Sequence, residues 1–117
     1  MTETDFDVQE FARDIHHLLL LSSLRDGPKH GYQIALDVEA ASNGLFRFKH
    51  GTLYPILHRL EEEGLIRGSW SRRQGRRRKV YALTRAGDRH LSGGSDRIEE
   101  IATRLVRLLR GPEEATA

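Results

Sequence analysis

The chain has 117 residues, 38% hydrophobic and 31% charged, enough for one modest core, and no cysteine, which excludes a disulfide framework and a thiolate zinc site. Its net charge of +2 is unevenly spread: residues 1–10 hold Glu3, Asp5, Asp7 and Glu10 without a base, and residues 64–84 hold Arg67, Arg72, Arg73, Arg76, Arg77, Arg78 and Lys79 without an acid. An acid-free basic block points to a phosphate-bearing partner, while the lack of a long apolar run and the acidic start exclude a membrane span and a secretory signal and lead us to expect a cytoplasmic protein.

Residues 1–10 read as a flexible N-terminal segment. From about Phe11 the positions Phe11, Ile15, Leu18, Leu19 and Ser22 follow helical spacing, until Asp26-Gly27-Pro28 stops the helix. A second helix is expected from Gly31 to Ala41, burying Ile34, Ala35 and Val38, with Ser42-Asn43-Gly44 ending it. Leu45-Phe46-Arg47-Phe48 alternates in the manner of a strand and reads as either a short β segment or an apolar loop. The third helix starts near Gly51 or Thr52 and buries Leu53, Ile56, Leu57 and Leu60. Pro55 falls in or just beyond its first turn, and Gly64 ends it.

A β-hairpin follows. Ile66 to Trp70 and Val80 to Leu83 alternate, and the turn between the strands is expected over Ser71 to Arg77, around Gly75. Thr84 suits an N-cap of a last helix carrying Leu91, Ile98, Ile101, Leu105 and Leu108 at heptad-like spacing. Gly93-Gly94 should kink that helix or restart it at Ser95 or Asp96, because each glycine costs about 1 kcal/mol against alanine. Gly111-Pro112 closes the structure. The expected division is 1–10 flexible segment, 11–84 DNA-binding domain, 85–110 dimerisation helix and 111–117 disordered tail. The fold class is mainly α with a small β-hairpin, in the order of a winged helix-turn-helix, an arrangement that reads double-stranded DNA.

The residues that carry this order are His30-Gly31-Tyr32, Gly51-Thr52-Leu53-Tyr54-Pro55-Ile56-Leu57-His58-Arg59-Leu60-Glu61, Gly64-Leu65-Ile66, and Arg78-Lys79-Val80-Tyr81-Ala82-Leu83-Thr84 with Gly87. In this set the chain resembles the PadR family of transcriptional regulators, in its short subgroup with a single C-terminal dimerisation helix. The resemblance implies a homodimeric winged-helix repressor of a palindromic operator, released by an effector. Many relatives carry Ser or Ser-Pro before the Gly51 position, where this chain has Lys49-His50. Some drug-binding relatives stack a flat ligand on a tryptophan of the C-terminal helix. Here that helix has no aromatic residue, and the one tryptophan, Trp70, lies in the hairpin.

Thr52, at the start of the third helix, can present its hydroxyl to DNA or cap the helix, and the N–H groups of the same turn favour phosphate. Lys49, His50, His58 and Arg59 are candidate base or phosphate contacts. Arg59 has the alternative of pairing with Glu62 or Glu63. By resemblance Tyr32 and Tyr54 donate to DNA phosphates; by burial they are core tyrosines with a hydroxyl at the rim. Arg72, Arg73, Arg76, Arg77 and Arg78 lie in or beside the hairpin turn, where a wing tip enters a minor groove. Trp70 reads as core against the third helix, with a ligand or partner surface as the alternative.

The stripe of Leu91, Ile98, Ile101, Leu105 and Leu108 lacks an obvious cover within the chain. The same helix of a second copy would supply it, joined by Phe11 and Ile15. An apolar space between two such helices is the default place for a small-molecule effector. No phosphate loop, nucleophile elbow or zinc-protease motif is present, and no two histidines stand at i, i+4, so neither an enzyme nor a metal or cofactor is expected. Glu61, Glu62 and Glu63 crowd the negative end of the third helix, an unfavourable place that only the resemblance at Glu61 accounts for. The rival functions are an architectural DNA binder without operator choice and a winged-helix protein-interaction module.

Overall fold

The computed structural model describes residues 6–73 and 75–111. The first helix, α1 (Val8–Ser22), starts three residues before Phe11 because the Asp7 carboxylate accepts from the backbone N–H groups of Gln9 and Glu10, at 2.9 and 3.1 Å. These are the orphan donors of a helix start, and aspartate is among the best residues to satisfy them. The boundary expected at residue 10 therefore falls inside α1. Residues 1–5, and the tail beyond Gly111, lie outside the described residues.

After α1 the chain makes a two-residue strand, β1 (Lys29–His30), and enters α2 (Gly31–Ala41). β1 is too short for alternation to reveal it. The Lys29 ammonium binds Ser23 Oγ at 3.2 Å and Asp26 at 3.2 Å and pairs with Asp37, tying the end of α1 to α2. Residues 45–48 form a loop, not a strand. Phe46 and Phe48 turn toward the core, their rings 6.3 and 5.5 Å from His16 in edge-on contact.

The third helix, α3 (His50–Glu62), buries Leu53, Leu57 and Leu60 completely, with Ile56 at the edge of the core. Strands β2 (Ile66–Arg73) and β3 (Arg76–Leu83) pair antiparallel from Ile66↔Leu83 out to Arg73↔Arg76. Only residues 74 and 75 join them, so the arginines expected in a long turn stand on paired strands. β1 adds to the far edge of β3 through Lys29↔Tyr81 and His30↔Val80, giving a sheet of order β1-β3-β2. Leu65, Ile66 and Tyr81 close the core from the sheet side.

Thr84 caps the last helix, α4 (Arg85–Arg110), its hydroxyl oxygen accepting from Gly87 N–H at 3.0 Å. α4 runs through Gly93-Gly94 without the expected break. The reason lies across the interface: a Cβ on Gly94 would stand 2.7 Å from both methyls of Leu18, so this glycine admits α1 against α4. Packing recovers what helix propensity loses there. Beyond Ile101 α4 leaves the core. No helix among the described residues is long and apolar enough to cross a membrane.

Candidate nucleic-acid interface

α3 begins on a cation. Lys49 holds the N-cap position in extended conformation, and its side chain makes no capping hydrogen bond. Serine, threonine, aspartate or asparagine would stabilise that end by about 1 kcal/mol. Leaving it uncapped, with lysine at its entrance, directs backbone N–H groups and positive charge outward, as an anion requires. Thr52 is exposed and does not cap the helix; its backbone N–H donates to Lys49 O at 2.9 Å. Pro55 sits inside α3, and Thr52, Pro55, His58 and Arg59 all face solvent.

His50 brings two tyrosines together. Its ring lies 5.2 Å from Tyr32 and 5.7 Å from Tyr54, nearly perpendicular to both. Tyr54 packs over Gly31, where a Cβ would come within 2.9 Å of Tyr54 Cε1, so the starts of α2 and α3 are in contact. Tyr32 remains 52% and Tyr54 39% exposed, which places both at a rim rather than in the core. His58 faces Glu62 at 3.4 Å and Arg59 faces Glu63 at 4.0 Å, each an i, i+4 pair in solvent. Such pairs contribute about 0.2–1 kcal/mol, too little to withhold either side chain from a polyanion.

The hairpin sorts its arginines by face. Residues directly opposite on an antiparallel pair project to the same side. Arg72↔Arg77 and Trp70↔Lys79 therefore share one face, while Ser71↔Arg78 and Arg76 share the other. Arg72, Arg76, Arg77 and Arg78 are exposed; the side chain of Arg73 lies outside the described atoms.

The face of Trp70 is the one that meets α3. Glu61 Oε1 accepts from Lys79 Nζ at 2.9 Å, joining α3 to β3. The hydrogen bond it donates to Glu61 holds the Lys79 ammonium above its ordinary pKa. Gly68 makes room for the pair: a Cβ there would collide with Lys79 Cε and stand 2.9 Å from Glu61 Oε2. This answers the puzzle of a carboxylate at the negative end of α3, since its partner arrives 18 residues later in the chain. The same pair fills the place expected for Trp70. The indole is not core; it is 58% exposed, with Arg77 Cζ 4.4 Å from its centre. Glu61 and Lys79 were not among the residues expected at the interface, because no local spacing rule connects them.

The expected dimer residues divide. Leu91 is 2% exposed and belongs to the subunit's own core, where α4 crosses α1, so it needs no second copy. Ile98 packs partly on that core, and Phe11, Ile15 and Ile101 are half-buried, Phe11 beside Phe6 with ring centres 5.3 Å apart. Leu105 and Leu108 stand in solvent, with Val106 and Leu109 beside them.

A sequence model described as the transcriptional regulator PadR-like family matches residues 20–93. The chain belongs to that family. Over 99 residues it is 36% identical to Transcriptional regulator Rv3488 of Mycobacterium tuberculosis, a match spanning 85% of this chain and 90% of the relative. A PadR family regulator from Eggerthella lenta has a similar structure, with TM-score 0.75 and 30% identity over 90% of each chain. Bacillus subtilis PadR, solved in complex with operator DNA, is similar at TM-score 0.63 and 28% identity, covering 68% of this chain and 45% of that one. The PadR winged-helix architecture expected from the sequence is thus the one present, with a third strand added to the hairpin. Proteins of the PadR-like family are transcriptional regulators rather than enzymes.

Proposed function

We propose that this PadR-family chain is a cytoplasmic, DNA-binding repressor that acts as a homodimer on a palindromic operator and is released by an effector. One observation carries the DNA reading: an uncapped, lysine-flanked start of a helix with one exposed face, joined through Glu61 and Lys79 to a basic hairpin whose strands hold no acid. The similarity to Bacillus subtilis PadR, which binds operator DNA, supports it. Lys49, His50, Thr52, His58 and Arg59 would enter the major groove, with Tyr32 and Tyr54 donating to phosphates at its edge. Arg72, Arg73, Arg76, Arg77 and Arg78 would flank the adjoining minor groove. If a dimer neutralises about 6–10 phosphates, the log–log salt slope is about −5 to −9.

The homodimer is supported by the exposed leucines of α4, which a second α4 would cover together with Phe11, Ile15, Ile98 and Ile101. The effector would occupy the apolar space between the paired helices. Footprinting of the protein on its own promoter tests the whole reading. Two protected half-sites centred about 34–36 Å apart along the duplex are expected. Protection without dyad symmetry would contradict the palindromic dimer.

A further inference from the structure

The single tryptophan of the chain stands on the hairpin in solvent, a costly place for so large an apolar ring. Its surroundings explain why it is there. Arg77 lies over the ring at 4.4 Å from the centre, and Lys79 Nζ approaches the same ring at 5.8 Å. The inner cation is already engaged, because Lys79 donates to Glu61 of α3 at 2.9 Å. The outer cation has no carboxylate on either strand to engage. Glu61, Lys79, Trp70 and Arg77 thus form a continuous row from the recognition helix toward the end of the wing.

A guanidinium stacked on an aromatic face keeps its N–H donors in its own plane, directed past the ring edge. That geometry suits a two-pronged bond to a phosphate and removes much of the rotational freedom an exposed arginine would lose on binding. We propose that Trp70 is a positioning residue for DNA: it holds the Arg77 guanidinium ready to fork onto a backbone phosphate beside the groove that α3 enters. The row back to Glu61 sets the distance between that phosphate contact and the recognition helix. This inference rests on the DNA-binding reading above.

The test uses full-length protein and a fluorescein-labelled duplex of its own upstream promoter, followed by anisotropy across a salt series. Each stack is worth about threefold in affinity, so Trp70→Ala should weaken a two-winged dimer about tenfold. Trp70→Phe, which keeps an aromatic face, should recover most of the loss. Arg77→Ala should weaken binding at least as much and flatten the log–log salt slope by about one per wing. Arg77→Lys should weaken binding several-fold while keeping the slope, since charge survives and the planar fork does not. Adding Trp70→Ala to Arg77→Ala should cost nothing more. The indole also reports directly: its emission should change as the wild type saturates with DNA. If Trp70→Ala binds like the wild type, or costs as much without Arg77 as with it, Trp70 does not position Arg77 and the inference fails alone. If the wild type binds no duplex at all, the DNA reading fails and takes the inference with it.

Discussion

Gly68 shows how a single absent methyl shapes this interface. Lys79 and Glu61 meet directly over it, and no other residue type leaves that space. Gly68→Ala should displace the flexible ends of Lys79 and Glu61 and destabilise the fold by about 1 kcal/mol or less, the scale of a part-exposed ion pair. Urea denaturation reads this directly, and unchanged stability would mean that the pair re-forms around the added carbon. Because the Lys79 pKa is raised in the folded protein, the stabilisation from this shift is full at neutral pH and is lost in strong base, as the ammonium titrates. His17 acts in the opposite range. Burial holds its pKa below 6.5, against the raising effect of Glu63 and Asp14. Above 6.5 it is neutral in both folded and unfolded chains and costs nothing. Below 6.5 the unfolded chain takes up the proton first, so stability should fall as pH drops from 7 toward the lowered folded value. His17→Gln should reduce that fall in melting temperature between pH 7 and 5.5, and an identical pH dependence would refute the assignment.

α4 separates what periodicity reveals from what it hides. Gly93 and Gly94 are adjacent and carry the same intrinsic penalty in a helix, yet their surroundings differ. Gly93 faces open space, so Gly93→Ala should stabilise by about 0.5–1 kcal/mol. Gly94→Val should destabilise, because its branches meet the Leu18 methyls. Equal effects in thermal melts would overturn this account. The expected kink at this pair failed because propensity sees only the helix itself, and Leu18 lies on another element. The helices, the buried positions of α2 and the Thr84 cap were all legible, since each rests on spacing or chemistry within a few residues. β1, the start of α1 at Asp7 and the short turn of the hairpin were not. Two residues cannot alternate, one carboxylate in an acidic segment does not advertise itself as a cap, and a strand's length depends on its partner. α3 and the basic hairpin were legible as pattern and charge. Their link through Glu61 and Lys79 was not, because its signal is a contact across 18 residues.

At the scale of the molecule, α3 is joined to the wing through Glu61 and Lys79, and the far end of α4 carries exposed leucines. Leu91 and Ile98 anchor the first half of α4 to the subunit. Leu105 is 47% and Leu108 80% exposed, an apolar stripe that a monomer gains nothing by building. Leu105→Asp should therefore yield monomers by light scattering, with the fold of each subunit intact. A dimer that persists would move the interface elsewhere. Two subunits joined through α4 would offer two recognition helices related by a two-fold axis, the arrangement that lets a protein this small choose one site among many. The most direct measurement is anisotropy of the protein with its own upstream promoter against a scrambled duplex of equal length, at about 150 mM salt. The account predicts binding to the promoter roughly a thousandfold tighter or more than to the scrambled control. Equal affinity for both duplexes would contradict it and leave an architectural binder, and no affinity for either would leave a protein-interaction module.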